Sequence, residues 1–574
     1  MGNMKTLEQQ LAKIFAGKLG NRFGDDFDYA ATISPTDLQF GHFASNIAMQ
    51  LAKKEGKKPL DLAEDIVEML RSDEALTSVE TAGPGFINIR FADEYLQQQI
   101  ANVLKDFDSY IIAESADWQG KKLVMDYSHP NIGKPMGVHH LLSTIIGDAI
   151  KRTYRRVGVE VVADNFIGDL GTQFGKLIHA VKSWGDLEKI DKDPIAELLK
   201  LYVQFHIEAE NDVELDDAAR AEYKKLEDGD PQNRALWQKI VGWSRAEIQP
   251  IYDELGVEFD VIHGESFYEK DLAGIIEKGK QLGVFTSSQG ALVYQMKEPD
   301  LPPAIVQKKD GATLYLTRDL ARIAYWEKTW QPDLMMVVVD NAQSFYFKQV
   351  FEVAEALQLT DATNLHVGFG RMRFADKSMS TRKGNILLLH ELIAEAKKRS
   401  RKLVAEKSGS LTDNEQAVLA DVLAVGALKY NILSQNRQSD IQFDWDKMLT
   451  FEGNSAPYLL YTVVRAGSIA ERAKSTTTAA ENASEGPVDA ERALMLLIDR
   501  LPKAVSEAVS ENRPNAIANY LYTLAQHYNN FYNGTDILKA AADDRSRRLR
   551  LNEAFVRTMQ TGLDMLGLSV PDKM

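Results

Sequence analysis

Apolar positions recur at helical spacing over 7–19 and again over 61–70, the second run following Pro59, a residue suited to a helix's first turn. The pattern then changes. Val79-Glu80-Thr81-Ala82 leads into a Gly83-Pro84-Gly85 turn, and Phe86-Ile87-Asn88-Ile89-Arg90-Phe91 alternates as a strand does. Positions 5–110 therefore read as a small α+β domain, and the patterning relaxes near 115–120, which puts a boundary at 118. Next come an apolar strand at 122–127, a loop at 128–138 with two prolines and two glycines, a helix at 140–157 and a strand at 159–165. That is a βαβ unit, the seed of a parallel sheet. Positions 183–260 are charged and helical without strand alternation, as an insertion would be. Strand signals return at 291–296, 313–316 and 334–340, followed by a helix at 349–357. From 385 the chain reads as helix throughout, broken at Ser408-Gly409, in a Ser/Thr/Ala/Glu-rich loop over 475–487, and at Arg513-Pro514. Three domains follow: 1–118, 119–384 and 385–574.

Composition narrows this. The 574 residues are 44% hydrophobic and 26% charged, the usage of a globular chain too long for one core. There is no cysteine, which excludes disulfides, thiolate catalysis and cysteine-based zinc sites. No unbroken run of 18 apolar residues occurs, and Met1-Gly2-Asn3-Met4-Lys5 has no apolar segment, so neither a membrane span nor a secretory signal is expected. Gly2 with Thr6 fits a lipidation pattern only in its loosest form. A cytoplasmic protein with no membrane partner is the expectation. The net charge of −16 does not advertise nucleic-acid binding, yet a local basic face is enough for it. Two helical clusters, Lys397-Lys398-Arg399 with Arg401-Lys402 and Arg545 with Arg547-Arg548 and Arg550, are read equally as phosphate contacts or as solvated faces.

Two stretches carry candidate chemistry. Asp126-Tyr127-Ser128-His129-Pro130-Asn131-Ile132-Gly133-Lys134-Pro135-Met136-Gly137-Val138-His139-His140 leaves a strand and enters a helix. Exposed N–H groups at a helix start favour an anion, and Lys134 and the histidines add donors. A plain βα loop with incidental histidines fits equally well. Lys377-Ser378-Met379-Ser380-Thr381-Arg382-Lys383-Gly384 interleaves hydroxyls with basic residues, as a phosphate-clamping loop or a solvated surface loop would.

Taken together, these stretches resemble arginyl-tRNA synthetases, class I aminoacyl-tRNA synthetases, over essentially the whole chain. The Asn131-Ile132 and Lys134-Pro135 lead-in, Ser143-Thr144-Ile145-Ile146-Gly147-Asp148, and Gly168-Asp169-Leu170-Gly171-Thr172-Gln173-Phe174-Gly175 are similar to the family around its HIGH motif. Met379-Ser380-Thr381-Arg382-Lys383-Gly384 is similar to its KMSKS loop. The resemblance implies a Rossmann-type catalytic core with a helical insertion at about 183–260, an N-terminal α+β domain binding the tRNA elbow, and a C-terminal all-α anticodon-binding bundle. It implies arginine–tRNA ligase activity: ATP and Mg²⁺ are used to form arginyl-adenylate, and the arginyl group passes to the 3′ end of tRNA(Arg). By the same resemblance Lys134, His140 and Lys383 are catalytic. Pro130, Gly137, His139, His140, Lys377, Met379 and Ser380 bind ATP, and Asp126, Ser128, Asn131, Tyr315, Asp319 and Gln343 bind arginine. Tyr458, Tyr461, Arg465, Tyr532 and Met574 face tRNA, no resident metal site is implied, and the protein is a monomer.

The chain departs from the family twice. Gly137-Val138-His139-His140 stands where His-x-Gly-His is usual, so the phosphate-binding first histidine is glycine and the adenine-facing glycine is His139. Ser378 replaces the first lysine of the KMSKS loop, with Lys377 one residue earlier. These departures keep open a synthetase-like paralogue that binds tRNA or arginine but charges poorly. A remoter alternative is a nucleotidyltransferase with another substrate.

Overall fold

A computed structural model describes residues 4–212, 214–374, 388–407, 411–475, 484 and 486–574. These fall into two compact units. One joins Gly120–Thr450 with Leu566–Leu568; the other joins Met1–Gln119 with Phe451–Met565 and Ser569–Met574.

The first unit is built on a five-stranded parallel sheet: β1 (Lys122–Asp126), β2 (Glu160–Ile167), β3 (Val261–Gly264), β4 (Leu334–Asp340) and β5 (Thr363–Phe369), in the order β5-β4-β1-β2-β3. Leu123-Val124-Met125 and Leu334-Met335-Met336-Val337-Val338 are unbroken apolar runs and every one of these residues is buried, as strands covered on both faces require. Helix α1 (Val138–Arg156) connects β1 to β2, and α2 (Tyr315–Trp330) precedes β4. Trp326, Leu320 and Ile323 of α2 are buried in one core cluster with Val124, Phe166, Met335 and Val350.

This unit departs from the sequence reading at 313–316 and after 385. Positions 313–316 are not a strand: Thr313 forms one isolated bridge with Gln307, and Tyr315 opens α2. The short alternation there was outweighed by Leu316, Leu320 and Ile323, which recur at helical spacing and are all buried. Ala291–Tyr294 lies outside the parallel sheet, in a three-stranded antiparallel sheet with Phe285–Ser288 and Ala304–Gln307. The chain after 385 is not wholly helical, because Ile441–Phe443 pairs with Met372–Phe374. The break between units falls at 450, so helix Leu389–Lys407 and helix α3 (Asp413–Leu433) sit with the sheet. Helix α3 is long and apolar enough by composition to cross a membrane, but it is largely buried within the unit. The insertion is helical as expected: Leu187–Lys192, Pro194–Ala209, Glu214–Glu227 and Pro231–Leu255.

The second unit holds a four-stranded antiparallel sheet (Ile33–Pro35, Phe43–Ser45, Phe86–Phe91, Leu76–Ala82) with helices Leu7–Phe23 and Pro59–Leu70, and a bundle ending in helix α4 (Ala542–Met565). Asp499 ties them together. Its carboxylate accepts from the Leu7 backbone N–H and from Gln99 Nε2, both at 2.7 Å. Arg492 grips Asp93 with two bonds of 2.7 Å. The N-terminal α+β layer and the bundle thus share one hydrogen-bonded core.

Candidate active site

Strands β1 and β4 are neighbours, and the strands beyond them run to opposite edges of the sheet. This switch opens a crevice beyond their carboxyl ends. A cavity of about 930 Å³ lies there, lined by Ser128, His129 and Asn131 after β1, by His139 and His140 at the start of α1, and by Val339 and Asp340 of β4. Glu265, Tyr315, Asp319, Gln343, Tyr346 and Phe347 also line it, as do Arg371, Met372, Arg373 and Phe374.

The loop leaving β1 is held in an unusual backbone. Ser128 (φ 75°) and His129 (φ 52°) both lie in the left-handed region, sparsely populated by non-glycine residues and common at functional sites. Side chains hold them there: Ser143 Oγ accepts from the Ser128 N–H at 2.9 Å, and the Ser128 hydroxyl lies 2.7 Å from Tyr252 Oη and 2.8 Å from Thr144 Oγ1. His140 sits at the third position of α1. Its Nδ1 lies 3.2 Å from the Gly137 N and 3.3 Å from the Gly137 carbonyl; when it accepts from the N–H, Nε2 carries the ring proton. Burial, reinforced by the adjacent His139, lowers the His140 pKa to about 3, so its imidazole is a neutral donor. His139 is exposed, its ring 3.9 Å from that of His140, and its pKa is lowered by desolvation and by Lys134.

An ionic cluster stands behind and beside the cavity. Arg322, fully buried, reaches Asp126 at 2.6 Å and Asp319 Oδ1 at 2.7 Å. Tyr346 Oη donates to the other Asp319 oxygen. The Arg322 contact is not an aligned hydrogen bond, and Asp319 Oδ1 is a buried oxygen without a hydrogen-bond partner. Burial raises the Asp126 pKa, but His129 and Arg322 outweigh it and hold the carboxylate ionised. Burial opposes protonation of His129, while Asp126 at 3.1 Å raises its pKa. Glu265 is a site residue that the sequence did not single out. It is buried, lines the cavity, and has its carboxyl pushed up to about 7 by desolvation against the pull of Arg318 at 3.4 Å. Its only sequence signal was an acid next to Gly264 at the end of β3, a strand too short to be recognised.

Ser128, Asn131, His139, His140, Tyr315, Asp319 and Gln343 are thus gathered on one cavity. Asp126 is not on its wall: its carboxylate lies behind it, tied up by Arg322 and His129, because a fully buried acid needs those partners. Pro130, Lys134 and Gly137 do not line the cavity either. Pro130 O accepts from the Gly168 N–H at 3.0 Å, Gly137 caps α1, and Lys134 lies close enough to depress the His139 pKa. Lys377, Met379, Ser380 and Lys383 lie outside the described residues.

In the second unit Tyr458, Tyr461, Arg465 and Tyr532 gather around one group. The Arg465 guanidinium lies 4.2 Å from the Tyr532 ring and 5.6 Å from that of Tyr461, and Asn529 donates to Tyr458 Oη at 2.8 Å. Tyr461 is exposed and Met574 half-buried. The basic clusters behave differently. Arg547 and Arg548 are buried on Glu491 at 2.7 and 2.8 Å, unavailable to phosphates, and Lys397, Arg399 and Arg401 pair with acids.

Comparisons with known proteins match this architecture. Residues 99–445 match the family described as tRNA synthetases class I (R), catalytic domain. Residues 459–574 match the DALR anticodon binding domain, and 5–91 the arginyl tRNA synthetase N terminal domain. The chain is 39% identical over 575 residues to an arginine–tRNA ligase of Fusobacterium nucleatum, covering 100% of both. It is 38% identical over 569 residues to one of an Exiguobacterium species, covering 99% of this chain and 100% of the relative. In fold it is similar to the arginyl-tRNA synthetases of Plasmodium falciparum (TM-score 0.81, 24% identity, 100% of both chains) and Thermus thermophilus (TM-score 0.77, 22% identity, 99% and 100%).

Proposed function

The chain belongs to the class I arginyl-tRNA synthetase family, and from that premise we propose how its own residues divide the work of an arginine–tRNA ligase. The reaction is attack of the arginine carboxylate on the α-phosphate of ATP, which releases pyrophosphate and leaves arginyl-adenylate. The arginyl group then passes to a ribose hydroxyl at the 3′ end of tRNA(Arg). The carboxylate is already nucleophilic, so catalysis reduces to alignment and charge stabilisation.

One observation carries the arginine reading: of the three acids on the cavity wall, Asp319, Glu265 and Asp340, the first two are buried. A guanidinium is planar, permanently charged and carries five donors, and carboxylates accept them in parallel. In this reading Asp319 takes the guanidinium, Glu265 ionises to join it, Tyr315 stacks at the mouth and Gln343 completes the acceptors. Ser128 and Asn131 hold the α-amino and carboxylate end. Asp126 acts from behind, fixing Arg322 and His129 rather than touching substrate. His140 gives the ATP phosphates a neutral Nε2–H donor, while Lys134 and Lys383 supply charge. Pro130, Gly137, His139, Lys377, Met379 and Ser380 complete the ATP site.

Mg²⁺ comes with ATP in this proposal. Bound with ATP, the ion would ease the negative charge of the phosphate oxygens. Tyr458, Tyr461, Arg465, Tyr532 and Met574 form the tRNA face, where unstacked bases find aromatic and guanidinium planes. The enzyme is cytoplasmic, acts as a monomer and has no membrane partner. ATP–pyrophosphate exchange measured with arginine, with and without tRNA(Arg), tests the proposal. Exchange that needs arginine and tRNA supports it. Exchange with another amino acid, or none with arginine, overturns it. The poorly charging alternative rests on His139, whose imidazole occupies the cavity wall; weak exchange with normal tRNA affinity would favour it.

A further inference from the structure

The end of α1 opposite the histidines carries a buried charge cluster that the reaction does not use. Asp148, almost fully buried, lies 2.7 Å from Lys151 Nζ and 2.7 Å from Arg152 Nε. Lys151 donates to the Glu258 carbonyl at 2.6 Å and Arg152 to the Gly256 carbonyl at 2.9 Å. A third cation enters from α3: buried Lys429, whose ammonium donates to the Gly567 carbonyl at 2.6 Å. Gly567 is shaped for this place. Its φ is +68°, and a Cβ there would meet Lys429 Nζ at 3.0 Å, Asp148 Oδ2 at 3.1 Å and Arg152 Nε at 3.3 Å. Flanking Leu566 and Leu568 are buried, and Leu566–Leu568 belongs with Gly120–Thr450 to the unit of the sheet.

Holding three cations around one carboxylate, Lys151 and Lys429 buried and Arg152 partly exposed, is unfavourable unless each finds acceptors, and here backbone carbonyls supply them. A lysine is a poor choice for packing alone, since a methionine of similar volume would fill the space without desolvating a charge. The charge therefore has work to do at this point. The upstream end of α1 is fixed independently: Ser143 Oγ donates to the Val338 carbonyl of β4 and accepts from Ser128. At the other end of the helix stands the Lys429 cluster.

We propose that Lys429 is a positioning residue of the synthetase reaction: by clamping Leu566–Leu568 onto the Asp148 end of α1, it fixes the helix that presents His139 and His140 to ATP. The assignment rests on the ligase reading above. It also gives the clamp a titration. Desolvation lowers the Lys429 pKa to about 8, with Asp148 working against that and Arg152 and Lys151 with it; the Gly567 side contributes only a carbonyl. Deprotonation removes the ion-pair attraction to Asp148 while leaving a weaker neutral donor.

The test is ATP–pyrophosphate exchange with arginine and tRNA(Arg) on the full chain, wild type beside Lys429→Met, Lys429→Arg and Gly567→Ala. A wild type without arginine-dependent exchange would count against the ligase reading, not against the clamp. With an active wild type, Lys429→Met and Gly567→Ala are expected to lower kcat about tenfold to a hundredfold, the scale of a small misplacement of a catalytic group. KM for arginine and Kd for tRNA stay within twofold. Wild-type kcat falls above pH 8, Lys429→Arg keeps its rate there, and Lys429→Met loses the pH dependence. Thermal melts run in parallel show whether the variants are folded. Folded Lys429→Met with kcat within twofold of wild type overturns the proposal. So does a Lys429→Arg enzyme with the same alkaline decline as wild type, because another group must then be titrating. If Lys429→Met does not fold, the alkaline limb of Lys429→Arg decides alone.

Discussion

Arg322 Nη2 stands 2.7 Å from Asp319 Oδ1, so the acid assigned to the substrate guanidinium already faces a guanidinium of the protein's own. The pair does not reduce Asp319 to a structural acid. The contact is not an aligned hydrogen bond, and Asp319 still lines the cavity. Arg322 also has Asp126, so it is not left alone if Asp319 is changed. Asp319→Asn keeps the shape and removes the charge. An unpaired buried guanidinium costs about 3–5 kcal/mol. The expected loss in kcat/KM for arginine is therefore roughly 10²- to 10³-fold or more. Lysine, a point charge, should not rescue it. ATP binding, measured separately, stays within a few-fold. Charging near the normal rate would return Asp319 to the role of Arg322's partner.

Glu265 gives arginine binding a pH dependence. Its folded pKa is about 7, above the ordinary carboxyl value, because burial disfavours the charge. A bound guanidinium favours the ionised form, so binding below pH 7 must expel a proton. Arginine affinity should rise between pH 6 and 8 and level off above. Glu265→Gln should bind more weakly at pH 8 and lose most of that rise. Calorimetry in buffers of different ionisation enthalpy checks it through proton release, and a Glu265→Gln enzyme with the wild-type pH profile would remove Glu265 from the pocket.

His139 stands where the family resemblance leads one to expect glycine, and the structure puts its exposed ring on the cavity wall beside His140. His139→Gly should lower the KM for ATP by clearing backbone for the adenine. An unchanged or higher KM in steady-state exchange assays would instead make the imidazole a ligand.

The elements around this cavity were unevenly legible. The β1–α1–β2 unit was readable because Leu123-Val124-Met125 is continuously apolar and the loop after it is marked by prolines and glycines. Tyr315 is an arginine-pocket residue by resemblance, yet 313–316 reads as a strand, since a few residues cannot separate the two periods. Glu265 was invisible because its cavity position depends on β3 and on Arg318, which come together only in the fold. Arg547 and Arg548 read equally as a phosphate patch or a solvated face, because pairing with Glu491, more than fifty residues away, leaves no local trace. The same holds for the N-terminal layer, whose bonds to Asp499 and Arg492 join residues 492 and 399 positions apart.

Asp499 makes that shared core pH-sensitive. Its folded pKa is pushed up to about 8 by complete burial, outweighing the Leu7 and Gln99 donors that favour the anion, with Glu114 and Glu8 adding to the rise. A carboxyl whose folded value exceeds its unfolded value stabilises the fold fully while both states are protonated. As the pH rises past the ordinary carboxyl range, the unfolded chain ionises first. The contribution is then lost progressively until the folded group titrates near 8. The unit formed by Met1–Gln119 and Phe451–Met565 should therefore melt at a lower temperature at pH 8 than at pH 5.5. Asp499→Asn cannot ionise and should flatten that slope, ending more stable than wild type at pH 8. At pH 5.5 it should be somewhat less stable, because its amide group turns a donor toward Leu7 N–H or Gln99 Nε2, both of which need an acceptor. Melting curves of the two proteins across this range decide it. Parallel slopes would mean that Asp499 stays ionised in the folded protein, held by its two donors against the cost of burial.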